Sequence, residues 1–365
     1  MTKIKDIVDY LNAYAPVSLQ ESYDNAGLLC GSPDQEIETV LIALDVTEKT
    51  IEEAIDLKAG LIISHHPLIF GGIKKLTGSN YVERTLIKAI QNNIAIYAAH
   101  TNIDNVVGGV NAKIAEKLNL QNAKILVPKE NFLKKLVTFV PDAHAEKVRN
   151  AIFKAGAGTI GEYDNCSYNL NGTGSFRASE SSNPFVGEKG KIHYEKETRV
   201  ESIFPYHLQS SIIREMIKAH PYEKVAYDVY SLDNLYEKAG AGMTGTFESP
   251  RNEKELLQEI KTIFKTGCIK HTELLNQPVT KVAFCGGSGA HLIKRAKASG
   301  AQMYITGDVK YHQFFDAEKK IVIVDIGHYE SEQFTMELFY EILTNKFPNF
   351  AFHFTKINSN PINYL

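Results

Sequence analysis

Tryptophan is absent from this 365-residue chain, and its four cysteines, Cys30, Cys166, Cys268 and Cys285, lie far apart with no CxxC pair among them. That spacing excludes a disulfide framework and a thiolate zinc site, so a bound metal would have to use imidazole and carboxylate. Long apolar runs are missing as well: the best candidates are strand-length pieces such as Ile321 to Val324, against the roughly 20 residues that span a bilayer. No membrane partner is expected. Blocks of like charge are also lacking, and with a net charge of −3 and Lys and Arg spread along the chain nothing favours nucleic acid or an anionic surface. A small or metal-bound substrate fits better. The opening MTKIKDIVDYLNAYAP breaks its apolar positions with Lys3, Lys5, Asp6 and Asp9, so it reads as an amphipathic helix without the continuous core of a signal peptide. The expected location is the cytoplasm.

What is present is ordinary globular material. The composition is 44% hydrophobic and 23% charged, with 18 Tyr and 18 Phe to fill cores, and the length exceeds the roughly 150 residues of one domain. Short β-branched runs at Thr39 to Asp45, Leu61 to Ser64 and Ile94 to Ala98 alternate with helical stretches beginning near Thr47 and Tyr81. This is a βαβ rhythm, which implies a largely parallel sheet. It returns in Lys281 to Cys285, Gln302 to Thr306 and Ile321 to Ile326, with helices over Ala290 to Ser299 and Ser331 to Asn345.

Between the two α/β halves the pattern changes. A strand (Lys134 to Val140), a helix (Ala143 to Ala155), a Gly/Ser/Asn-rich extended middle (Gly161 to Glu201), a second helix (His207 to Ala219) and a strand (Val225 to Ser231) follow one another. That order is ferredoxin-like α+β. The chain therefore reads as residues 1–129 and 241–365 forming the α/β core and 130–240 forming an insert, bounded by Pro128 and by the glycine-rich Lys238 to Gly245.

Three strand ends carry candidate chemistry. The strand LIIS runs directly into His65-His66-Pro67, at the edge where open α/β sheets gather ligands. Neighbouring strand residues face opposite ways, so both histidines reach one site only if the chain turns there, as Pro67 allows. An isolated pair of histidines more often bonds loop carbonyls, so the context decides. It is supplied by His100-Thr101-Asn102-Ile103-Asp104 after the strand IAIYAA, and by His328-Tyr329-Glu330-Ser331-Glu332 after IVIVDIG. Asp104 is a hard oxygen donor, equally able to serve as a helix cap; His100 reads as a core or supporting residue. The four-residue spacing of His328 and Glu332 puts them on one helix face. Mixed His and carboxylate sets suit zinc, iron or manganese without choosing among them.

Two other strand ends are less telling. The turn Cys285 to Ala290, CGGSGA, lacks both the Walker lysine and GxGxxG spacing and reads as a tight strand-to-helix turn. In TGDVKYHQ, Asp308, Lys310 and His312 follow a strand end and are placed to line a substrate cavity, with Lys310 as an anion contact and His312 as a proton shuttle.

Together Asp24-Asn25-x-Gly27-Leu28, SHHP at Ser64 to Pro67, HTNID at His100 to Asp104, CGGSG at Cys285 to Gly289, TGDVKYH at Thr306 to His312 and GHYESE at Gly327 to Glu332 resemble the Nif-three-like family, also called GTP cyclohydrolase I type 2 homologs. The resemblance spans both ends, about two-thirds of the chain, with Tyr23 standing where the family usually has Trp. It implies two divalent metal ions per chain, zinc first and iron or manganese as alternatives. His66 and Asp104 would hold one ion, His65 and His328 the other, and Glu332 would bridge them. It further implies a PII-like (CutA-like) insert and a toroidal homohexamer with sites facing an internal cavity. The expected activity is hydrolysis of a nucleotide-like or other small substrate, with Glu332, and beside it Lys310 and His312, as catalytic groups. The alternative is a metal-binding regulatory or adaptor protein with a PII-like sensing domain.

Overall fold

A computed structural model describes residues 2–365, which form two compact units. One comprises the chain up to Pro128 together with Glu237–Leu365, the other Lys129–Tyr236.

The two-segment unit is built on two large sheets, beside a short pairing of Thr2–Lys3 with Glu36–Ile37. The first has five strands in the order Ala351–Phe354, Thr39–Ala43, Leu61–Ser64, Ala95–Ala98, Gly27–Cys30. The first four run parallel and Gly27–Cys30 closes the edge antiparallel. Leu41, Ile62 and Ile96 pack with Ile51 and Ala54 of the Glu48–Asp56 helix and Leu86 and Ala89 of the Tyr81–Gln91 helix. Both helices begin on side-chain caps, Thr47 accepting from Thr50 N at 3.2 Å and Asn80 from Glu83 N at 3.0 Å. Such caps satisfy backbone donors that a first turn leaves free. The edge strands Gly27–Cys30 and Ala351–Phe354 were not legible as strands: the first is short and uniformly half-buried, and the second lies over 300 residues from the strand it joins.

The second sheet has the order Lys270–His271, Val322–Asp325, Met303–Gly307, Val279–Ser288, Tyr236–Arg251, Gln121–Lys129. Its three central strands are parallel and apolar on both faces, as strands covered by helices on both sides must be. Val282, Phe284 and Met303 meet Leu256 and Ile260 on one face, while Ala283, Tyr304 and Ile323 meet Leu292 and Ala296 on the other.

The Lys129–Tyr236 unit is a four-stranded antiparallel sheet in the order Tyr227–Ser231, Leu133–Pro141, Ile192–Pro205, Tyr168–Arg177. Its elements follow one another as β-α-β-β-α-β, the split βαβ arrangement. Helices Ala145–Lys154 and Gln209–Ala219 cover one face through Val148, Ile152, Ile212 and Met216 against Leu136, Val140, Val200 and Phe204. The Gly/Ser/Asn-rich middle resolves into a long hairpin, with Gly172 opposite Glu197 and Gly174 opposite Glu195.

Leu41 is fully buried in the first sheet, and emptying such a site costs a cavity besides the lost burial. In metal-stripped protein, Leu41→Ala is expected to lower unfolding free energy by about 2–5 kcal/mol. Urea unfolding followed by far-UV circular dichroism measures it, and a loss well under 1 kcal/mol would mean that the sheet is not packed as described.

Candidate metal centre

The registers explain why distant motifs converge. Ser64 lies opposite both Ala43 and Ala98, so the chain leaves all three strands at one carboxyl edge and delivers Asp45, His65, His66 and His100 there. In the second sheet Thr306 lies opposite Asp325, and the segments that follow carry Asp308 and His328. Gly327, at φ 95°, starts the His328–Glu332 helix. A side chain at Gly327 would strike Glu330 as well.

At the centre sits the carboxylate of Glu332, its side chain 3% exposed. Its Oε2 lies 3.0 Å from Nε2 of both His66 and His328, and its Oε1 lies 3.5 Å from His65 Nε2. The His66 and His328 Nε2 atoms are 3.2 Å apart, and Asp104 Oδ1 is 3.7 Å from His65 Nε2. All five expected ligands thus come together. The donor atoms fall into three overlapping sets, His65 with His66 and His100, His66 with His328 and Glu332, and His65 with Asp104 and Glu332.

Each imidazole has its other nitrogen committed. His65 Nδ1 donates to Ala99 O at 3.0 Å, His66 Nδ1 to Asp45 at 2.7 Å, His328 Nδ1 to Asp308 at 2.7 Å and His100 Nδ1 to Asp24 at 2.7 Å. These bonds select the tautomer whose Nε2 lone pair points inward, the usual arrangement of metal-binding histidine. His65 Nε2 and Asp104 Oδ1 are buried without a hydrogen-bond partner. Two orphaned donor atoms aimed at one point, which folding alone would not tolerate, are what a cation would satisfy. The residues fit a metal ion.

The electrostatics agree. Burial opposes ionisation of Glu332, but His65, His328 and His66 outweigh it and hold its carboxyl well below the usual range. Burial and the neighbouring Glu332 push Asp104 well above that range. Burial lowers His65 to about 4. For His66 and His328 burial is overcome by Asp45 and Glu332, and by Asp308 and Glu332, which raise them to about 9 and about 11. Without a cation, protons must supply the positive charge that this cluster of carboxylates demands.

A cavity of about 650 Å³ opens on the cluster, with Tyr23, Phe70 and Tyr81 on its walls and no Lys or Arg among its lining residues. Lys310 and His312 are not in that lining. Lys310 caps the Tyr311–Ala317 turn, and His312 packs against Tyr311 and Phe315. Strand-end position alone suggested them, and the tight turn after Val309 carries both elsewhere. In CGGSG the three glycine amides are already occupied: Gly286 N donates to Asn111, Gly287 N to Ser331 and Gly289 N to Thr306, which agrees with a tight strand-to-helix turn. Gly287 has a different duty. At φ 62° a side chain there would lie 2.2 Å from Glu332 Oε1, so glycine lets the turn approach the central carboxylate.

Sequence reasoning left out two supports, Asp45 and Ser359. Asp45 ends a strand as His65 does and was open to the same argument; Ser359, which bonds to Asp45, carried no signal. His100 belongs to the cluster, its donor atom grouping with those of His65 and His66. It is held by Asp24, which also accepts from Thr101 N at 2.9 Å and from the Thr101 hydroxyl.

Asp45→Asn removes the carboxylate that fixes the His66 tautomer and is expected to weaken metal affinity by about 10–100-fold, measured by competition with a chromophoric chelator; unchanged affinity would dismiss Asp45 as a support. Burial opposes ionisation of Asp24, yet bonds from His100 and Thr101 hold its pKa down to about 2. A lowered carboxylate stabilises the fold above its unfolded pKa, and that stability disappears as pH falls through the folded value. The melting-temperature deficit of Asp24→Asn is therefore expected in full above about pH 4 and to shrink towards about pH 2; a deficit independent of pH would remove the ionised pair from the account.

Comparison with known proteins places this arrangement. The profile of the Duf34/NIF3 (NGG1p interacting factor 3) family matches residues 2–361. A Bacillus subtilis protein named GTP cyclohydrolase 1 type 2 homolog is 38% identical over 327 residues, 89% of this chain and 88% of its own. A Staphylococcus epidermidis protein of the same name is 31% identical over 99% of this chain and all of its own. The crystal structure of a Bacillus cereus protein related to NIF3 superposes with a TM-score of 0.84 at 38% identity, covering 100% of this chain and 99% of that one. Among the described residues no helix is long and apolar enough to cross a membrane. With both terminal segments and the strand-end histidines inside the matched region, the chain belongs to the DUF34/NIF3 family.

Proposed function

We propose that the protein is a dinuclear metal-dependent hydrolase acting on a nucleotide-like or other small substrate. The observation that carries this reading is the Glu332 carboxylate set within 3.0–3.5 Å of three imidazole nitrogens. His65, His66, Asp104, His328 and Glu332 would together hold two divalent ions, with the Glu332 carboxylate between the histidines. Zinc suits a set of imidazole and carboxylate donors without thiolate, with iron or manganese as alternatives. Ions held there supply Lewis acidity, which polarises an oxygen of the substrate or of water.

The chain's own residues do the rest. Tyr23 and Phe70, 68% and 53% exposed, offer ring faces to a flat substrate at the cavity mouth. His100, oriented by Asp24, presents Nε2 to the cavity and is placed to hold or pass a proton beside the substrate. Because no Lys or Arg lines the cavity, a phosphate would be met by the metal ions rather than by side-chain cations. Family resemblance supports a ring of six chains with these cavities facing inward. A second reading, a metal-binding regulator with a PII-like sensing insert, is favoured by the separate cavity of the Lys129–Tyr236 unit.

Elemental analysis of dialysed protein is expected to find two metal ions per chain, and light scattering a mass six times 40.7 kDa. Glu332→Ala and His66→Ala should each lose metal; undiminished stoichiometry in either removes that residue from the site. Protein loaded in turn with zinc, manganese, iron or magnesium is then screened against nucleotides and phosphoesters. Turnover abolished by Glu332→Ala supports the hydrolase, and no turnover with any ion sinks it in favour of the regulator.

A further inference from the structure

Beyond the strand Ala351–Phe354 the chain forms no helix or strand through Tyr364, and short polar side chains set its course. Thr355 N extends the strand's ladder to Ile42 O at 2.9 Å. The Thr355 hydroxyl and Lys356 N then both donate to the Glu53 carboxylate, the latter at 2.8 Å. Asn358 Oδ1 accepts from Asn360 N at 3.0 Å and Asn360 Oδ1 from Ile362 N at 3.1 Å, two successive Asx turns that define an otherwise irregular path. Apolar burial contributes little to holding this segment, since Ile362 is 51% and Tyr364 46% exposed.

Two neighbouring residues of the segment reach the metal centre from behind. The Ser359 hydroxyl donates to Asp45 Oδ2, and Oδ1 of the same carboxylate accepts from His66 Nδ1 at 2.7 Å. The Asn360 amide donates to Glu330 Oε1 at 3.1 Å. Glu330 is buried, and its Oε2 lies 2.1 Å from where a Cβ on Gly327 would be, so it packs against the residue that precedes His328. Asp45 follows a strand of the first sheet, whereas Glu330 stands on the helix that follows a strand of the second. A single peptide unit therefore joins the support of His66 to the neighbour of His328.

Those two imidazoles share no element, yet their Nε2 atoms lie 3.2 Å apart, each 3.0 Å from Glu332 Oε2. A productive site needs its donors held to within about 0.5 Å. Consecutive Cα atoms are fixed about 3.8 Å apart, so Asp45 and Glu330 cannot separate without breaking one of the two bonds. Ser359 and Pro361 also line the metal cavity, which makes the same segment part of its wall.

We propose that Ser359 and Asn360 are positioning residues of the metal centre, a clasp that sets the separation of His66 and His328 and with it the affinity for an ion held between them and Glu332. The clasp rests on the metal-binding part of the reading above and is independent of hydrolysis.

Zinc affinity is measured by competition with a chromophoric chelator for the full chain, Ser359→Ala, Asn360→Ala and the double variant, and the visible absorption of each cobalt-loaded protein is recorded. Each single variant is expected to weaken zinc about tenfold and to shift the cobalt bands, because ligand geometry changes while ligand identity does not. A clasp released at one arm is released altogether. The double variant is therefore expected to match the weaker single within about twofold, where independent supports would multiply their effects. A chain stopped after Lys356 keeps the Ala351–Phe354 strand and both bonds to Glu53; it is expected to match the double variant, with far-UV circular dichroism unchanged in all. Zinc affinity or cobalt bands left at wild-type values by both single variants, or a double variant whose loss is the product of the singles, would overturn the clasp and leave the metal centre in place. Wild-type protein that binds neither ion would overturn both.

Discussion

One buried anion organises the core of this protein. Glu332 lies among three imidazole nitrogens at hydrogen-bonding and near-bonding distances, where an isolated carboxylate would be prohibitively desolvated. Its neighbours are arranged to make ionisation favourable, and they are held in turn by groups one layer out: Asp45 on His66, Asp308 on His328, a main-chain carbonyl on His65. Both sheets are aligned by this demand, since the donors leave the carboxyl edges of strands in each. Even the glycines follow from it. Gly287 must lack a side chain because Glu332 occupies that volume, which gives the CGGSG turn a steric reason where a phosphate-binding one was conceivable.

Much of this was legible in the residues. His65, His66, Asp104, His328 and Glu332 stood out because strand ends are where α/β sheets place ligands, and the fold brings all five together. The two α/β halves were readable from apolar runs too dense to be half-exposed. What failed to show was whatever depended on long-range pairing. Ala351–Phe354 joins Thr39–Ala43 with no local signal for its partner. Ser359 acts on the site only through Asp45 and His66, and nothing in a single sequence marks a residue that acts through another. Lys310 and His312 show the opposite limit: placement after a strand says where the chain emerges but not which way the following Tyr311–Ala317 segment points its side chains, and the cavity lining holds neither.

The Lys129–Tyr236 unit follows different rules. Its sheet is covered by helices on one face, and its Tyr168–Arg177 strand is poor in apolar residues, a pattern that reads from sequence as extended but without strand bounds. Glycine there costs strand stability and gives room to Glu197, whose Oε2 lies 2.2 Å from where a Cβ on Gly174 would be. The two units thus use glycine alike, in each case to let backbone approach a buried carboxylate, although the carboxylates meet different surroundings: imidazoles in one, the Tyr222 hydroxyl in the other.

The late strand Ala351–Phe354 has a consequence for how the molecule is made. It pairs with a strand some 310 residues earlier, and the last ligands of the cluster also come from beyond residue 327. A ribosome that has finished the first α/β half has therefore produced a sheet with an open edge and an incomplete set of donors. Neither defect is repaired until residues 328–354 have emerged. One late stretch of chain thus closes the sheet edge and completes the donor cluster together, so the two are coupled in folding as well as in space.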